Sequence, residues 1–165
     1  MENIKRILEE SNKKSKMVND ASDKIVLMYS EGLDKTIKEI DELFSRGEID
    51  NIPSQRLENY CIKIPSFLYY MASGMEEIGT KLDILSQEKK DVYNRCYLDE
   101  EGTATERKSK AELETSDYAL TCMVYKRAYS CLKEKTEAAE KLYDALKKIL
   151  TKRISENDLS RRSNY

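Results

Sequence analysis

Tyrosines and basic residues gather around one glycine. Tyr93, Arg95 and Tyr97 precede Gly102, and Arg107, Lys108 and Lys110 follow it. Lys126 and Arg127 stand further on, beside Tyr125 and Tyr129. Such interleaving suits single-stranded nucleic acid: cations meet phosphates, and flat rings stack on unpaired bases without reading their sequence. These eight residues, Tyr93, Arg95, Tyr97, Arg107, Lys108, Lys110, Lys126 and Arg127, are the candidate binding set.

Other chemistry has no foothold. The chain has no histidine, the commonest general acid/base and metal ligand. It has neither a G-x-x-x-x-G-K phosphate loop nor a G-x-G-x-x-G turn. Cys61, Cys96, Cys122 and Cys131 are too scattered for a C-x-x-C site and read as small hydrophobes in helices. The carboxylates alternate with lysines, as on a solvated helix face. The expectation is a protein without catalytic residues, metal or cofactor, and not an enzyme.

The elements that must position the candidate residues are helices. Of 165 residues only five are glycine and two proline, and charged residues make up 36%. From Leu68 the apolar positions run Met71, Met75, Ile78, Leu82, Leu85, Lys89, Val92 and Cys96, spaced 3-4-3-4, with Lys89 alone interrupting. The same rhythm returns from Tyr118 through Thr121, Tyr125, Ala128, Leu132, Lys135, Ala139, Leu142 and Leu146 to Ile149. A sustained 3.5-residue period is the signal of a coiled coil. Between the two seams the segment LDEEGTAT reads as a turn, with Thr105 as the cap of the next helix. The fold expected is all-α: a long antiparallel coiled-coil hairpin, helices about 66–98 and 105–153, with an additional long N-terminal helix. A turn centred near Gly102 sets Lys135 opposite Tyr69 or Tyr70. Tyr118 and Tyr125, on the seam, read as core.

Three regions are expected: an N-terminal helical segment (1–53), the hairpin (54–154) and a disordered polar tail (155–165). In the first, Val18, Ala21, Ile25 and Met28 form one apolar run, and Leu33, Ile37, Ile40 and Phe44 another, out of phase around Gly32. That predicts one long helix with a weak point at Gly32, or two helices. A short helix capped by Ser54 is expected to end or kink at Pro65. Charge is sorted along the chain: nine basic and twelve acidic residues lie in 1–52, eleven basic and six acidic in 126–162. The N-terminus lacks an apolar stretch of signal-peptide length, and no segment has the roughly 20 apolar residues of a membrane span. The expectation is a cytoplasmic protein with no membrane partner.

The passage VYNRCYLDEEGTATERKSKAELETSDYALTCMVYKRAYSCLKEKTEAAEKLYDALKKIL, residues 92–150, has an order of elements that resembles the UvsY family of recombination mediators from T4-type phages. Its turn, EGTATERKSKAE, is also similar to those of small helical-hairpin proteins in tailed-phage genomes. The resemblance covers about residues 66–150 and is one of pattern. It implies a homo-oligomeric helical protein that binds single-stranded DNA. Such a protein helps load a RecA-like recombinase where single-strand binding protein covers the strand, in the cytoplasm of an infected bacterial host. The family's basic and aromatic residues before the turn fall on Tyr93, Arg95 and Tyr97. The chain departs from the family in its longer N-terminal segment, in acidic Asp99, Glu100 and Glu101 at the turn, and in having no tryptophan. Two other readings fit the same heptads: a coiled-coil structural or assembly protein with no nucleic-acid role, and a small helical regulator that binds a host protein.

Overall fold

The computed structural model describes residues 2–48 and 51–162. Among them the chain is all-helical: α1 (Glu2–Ser45), α2 (Ser54–Asp99), α3 (Ala104–Glu114) and α4 (Ser116–Arg162). None is long and apolar enough to cross a membrane. Two compact units form, one from residues 1–27 and 75–131, the other from 28–74 and 132–165. α1 contributes to both units.

α1 is continuous through Gly32. It ends at Gly47, whose φ of 66° is left-handed. The Gly47 amide donates to the Phe44 carbonyl at 3.0 Å and the Glu48 amide to that of Leu43 at 3.1 Å, a Schellman closure. Its buried stripe is Ser22, Val26, Ser30, Leu33, Thr36, Ile40 and Leu43, whereas Met28 is 77% exposed. The expected run through Met28 is thus off the stripe. Small hydroxyl residues take its place because they can satisfy themselves locally: Ser22 Oγ donates to the Asn19 carbonyl and Thr36 Oγ1 to that of Gly32.

In the unit formed by 28–74 and 132–165, glycine lets helices approach. A Cβ at Gly32 would lie 2.9 Å from Cζ of Phe67, and one at Gly74 would lie 2.6 Å from Cγ of Tyr29. Each of α1 and α2 seats a ring on the other's glycine. The seam lysine Lys135 of α4 pairs with Asp34 of α1, which also accepts from Ser30 Oγ at 2.7 Å. Lys135 therefore turns to α1 and not toward Tyr69 and Tyr70, which are exposed. Arg153 donates to the Ile52 carbonyl.

α2 does not end at Pro65, so of the two outcomes expected there, stop or kink, the stop does not occur. Leu57, Tyr60, Ile64 and Met71 form one buried stripe across the proline. Burying four such side chains contributes about 1.5–3 kcal/mol each, which outweighs the roughly 3 kcal/mol cost of an interior proline. The start of α2 also differs: the Arg56 amide donates to the Pro53 carbonyl at 2.9 Å, so Pro53 precedes the helix and Ser54 is its first residue.

In the unit formed by 1–27 and 75–131, Ile78, Ala111, Cys122 and Ala128 are buried. Ser86 Oγ of α2 lies 3.9 Å from Cys122 Sγ of α4. Cys122 takes the inward place that the heptads gave to Thr121, which is exposed. The second long helix is interrupted at Thr115, at φ −95° and ψ 8°. Thr115 Oγ1 donates to the Ala111 carbonyl at 2.9 Å, a buried side-chain bond that competes with the helix ladder.

α4 continues to Arg162, so residues 155–162 are helical and not a disordered tail. No glycine or proline stops it. Ser155 Oγ donates to the Thr151 carbonyl at 3.1 Å, and Lys152 pairs with Glu156 at 3.7 Å. Residues 163–165 of that expected tail lie outside the described residues.

Candidate nucleic-acid interface

The turn between α2 and α3 is built by a capping box. Thr103, not Thr105, is the N-cap. Its side chain accepts from the Glu106 amide at 3.3 Å, and its own amide donates to Glu106 Oε2 at 2.8 Å. The Thr103 amide foremost, and the Thr103 hydroxyl, which donates to Glu106 Oε2 at 2.9 Å, hold the Glu106 carboxyl below its usual pKa. Gly102 has φ 124°, and a Cβ there would lie 2.9 Å from Glu106 Oε2. The box fixes where α3 starts, and with it the direction of Arg107 and Lys108.

Tyr93 and Tyr97 are one turn apart on α2 and half-buried. Their ring planes differ by 8°, with centroids 6.3 Å apart. Arg107 from α3 lays its guanidinium 4.8 Å from the Tyr97 ring centroid. Its Nε is buried without a hydrogen-bond partner, so the cation is held by the ring face and packing. Tyr93, Asn94, Tyr97, Ala104, Thr105 and Lys108 line one shallow groove. The Lys108 ammonium lies 3.7 Å from the Glu112 carboxylate, both well exposed, so the pairing is loose.

Arg95 and Lys110 line a different groove, shared with Cys96, Asp99, Glu100 and Glu114. Lys110 pairs with Glu100, whose hydrogen bond and charge push the lysine pKa up. Three carboxylates beside two cations give phosphate little attraction there. Lys126 and Arg127 stand on α4 about 16 Å along the helix from its start at Ser116, and Arg127 lines a groove against α1. The structure thus brings Tyr93, Tyr97, Arg107 and Lys108 together and places Arg95, Lys110, Lys126 and Arg127 elsewhere. Asn94, Ala104 and Thr105 complete the groove. The T-x-x-E spacing of Thr103 and Glu106 is the one signal in the sequence that could have indicated where α3 begins.

Chemically, the groove offers ring faces and the exposed Lys108 ammonium, loosely paired with Glu112. Two of the thiols are made poorer nucleophiles: burial pushes the Cys61 and Cys96 pKa values up, and Glu100 adds to this at Cys96. Among the described residues no group of three or more Cys, Asp and Glu could hold a metal ion. Comparison with known proteins finds no matching protein family, no matching curated protein and no matching solved structure.

Proposed function

We propose that this chain is a non-enzymatic, single-stranded DNA-binding recombination mediator. In this reading α2, α3 and α4 form a coiled-coil hairpin whose turn presents the Tyr93–Tyr97 groove to unpaired bases. The protein would help load a RecA-like recombinase onto strands held by single-strand binding protein, in the cytoplasm of a phage-infected bacterium. One observation carries it: two parallel tyrosine rings, with Arg107 over one of them, share a groove with Lys108. Rings give sequence-tolerant stacking and the ammonium gives a phosphate contact. Arg95, Lys110, Lys126 and Arg127 have a lesser part, for the reasons of placement given above.

The test is fluorescence anisotropy of a labelled single-stranded oligonucleotide at two salt concentrations, with duplex as control. Binding should prefer the single strand and weaken steeply with salt. Tyr93→Ala should lower affinity by about 5- to 150-fold, the value of stacking one base. Lys108→Glu should lower it and flatten the salt dependence. Binding that neither variant changes would place the interface elsewhere. No binding at micromolar protein would favour the assembly reading, which the exposed Ile4, Ile7 and Leu8 of α1 support.

A further inference from the structure

We infer that Arg107 is a positioning residue for the nucleic-acid groove: it acts through Tyr97, holding α3 against α2, and makes no phosphate contact itself. The inference rests on the single-stranded DNA reading and divides the labour within that site.

Arg107 sits behind the groove. The lining is Tyr93, Asn94, Tyr97, Ala104, Thr105 and Lys108, without Arg107. Its guanidinium meets the groove through Tyr97, lying 4.8 Å from that ring's centroid. From 101 to 110 every residue is exposed except Arg107. Its Nε is buried with no hydrogen-bond partner. The neighbouring Lys108 side chain keeps 62% of its surface in water. A phosphate ligand needs N–H groups free to turn toward solvent, and a guanidinium laid on a ring has given up part of that freedom.

Local structure explains why this cation is held. Ala104, Arg107, Lys108 and Ala111 fall at i, i+3, i+4 and i+7, on one face of α3. Ala111 is buried, and between the two alanines Arg107 lays its long side chain on α2. The carboxylates nearby are engaged elsewhere: Glu106 in the capping box, Glu112 with Lys108 and Glu100 with Lys110. With no ion pair to turn it away, the guanidinium stacks. α3 has 11 residues, too few for a stable isolated helix. Its place against α2 therefore depends on packing, and the Arg107–Tyr97 contact is the packing that adjoins the groove.

Anisotropy of a labelled single strand over a series of salt concentrations tests this, with Arg107→Met beside Lys108→Met. Both variants lose one positive charge and keep an unbranched side chain. Lys108→Met should reduce the slope of log affinity against log salt by about 0.7, the value of one phosphate contact on a single strand. Arg107→Met should leave the slope at the wild-type value. It should lower affinity at every salt concentration by about 2- to 30-fold, the worth of a cation–π contact. Arg107→Lys keeps the charge but not the flat stacking, so it should lose affinity as Arg107→Met does. In a Tyr97→Leu background Arg107→Met should cost nothing further, because the contact through which Arg107 acts is already gone. Unchanged far-ultraviolet circular dichroism confirms that the variants fold. An Arg107→Met slope as low as that of Lys108→Met would make Arg107 a phosphate ligand and overturn the proposal while leaving the DNA reading intact. So would an affinity that Arg107→Met leaves unchanged, full retention by Arg107→Lys, or a loss that persists in full without Tyr97. A wild type that binds no single strand overturns the DNA reading and this inference with it.

Discussion

A methyl group is the smallest probe of how closely two helices approach. At Gly32 and Gly74 it would press into an aromatic ring from the facing helix, Phe67 in one case and Tyr29 in the other. At Gly79 it would meet nothing within 4 Å. Alanine is favoured over glycine inside a helix by about 1 kcal/mol, whereas overpacking costs about 1–3 kcal/mol. Gly79→Ala should therefore raise stability by about 0.5–1 kcal/mol, and Gly32→Ala and Gly74→Ala should each lower it, by up to about 2 kcal/mol net. Thermal melts of the three variants side by side check the signs, and a gain at Gly32 would mean that Phe67 moves aside freely. Gly32 was legible in the sequence as an anomaly, where two apolar runs change phase. Its purpose was not, because the need for a glycine comes from a ring 35 residues away in the chain.

An element's ends respond to pH when a carboxylate caps them. The Thr103–Glu106 box stabilises the start of α3 most while Glu106 is ionised, because the carboxylate accepts more strongly than the neutral acid. Since folding lowers its pKa, the contribution is fully present above the unfolded value of about 4.3 and fades as pH falls through the lower folded value. Wild type should exceed Glu106→Gln in its urea midpoint at neutral pH, and the gap should close below about pH 4. A gap that stayed constant to pH 3 would show that the charge is irrelevant to the cap. The sequence carries this box as T-x-x-E, yet the cap expected from it is Thr105, because a threonine shortly after a glycine is an ordinary cap and the Glu106 partner of Thr103 goes unweighed. Burial of Ile64 and Met71 decides whether α2 passes Pro65, and no local rule at proline contains that. Likewise the heptads from Leu68 to Ile149 gave the inward sides of α2 and α4 at Met71, Ile78, Ala128, Leu132, Ala139 and Leu146. They could not place α1, whose buried stripe includes three hydroxyl residues. The candidate site was half legible: tyrosine and cation types show in the sequence. Which cations are already held by Glu100 depends on the turn.

At the scale of the molecule, the apolar seams of α2 and α4 do not account for their own interruptions. Lys135 breaks the α4 seam because α1 supplies Asp34, set in place by Ser30. The acidic excess of the first 52 residues and the basic excess beyond residue 126 thus have at least one point of direct contact. Both side chains keep about a third of their surface in water, so the pair is screened, and a double-mutant cycle should give a coupling of only about 0.5–1 kcal/mol. Its value lies in which helix faces which. Asp34→Ala or Lys135→Met alone leaves one charge facing a half-dry seam, and each should lower the urea midpoint. Asp34→Ala with Lys135→Met together should match or exceed wild-type stability, since an apolar pair avoids the desolvation that an ion pair only partly regains. If the pair also fixes the alignment of α1 on α4, the double variant will melt with a lower m-value and broader amide resonances while gaining in midpoint. If it does not, the m-value will stay at the wild-type level.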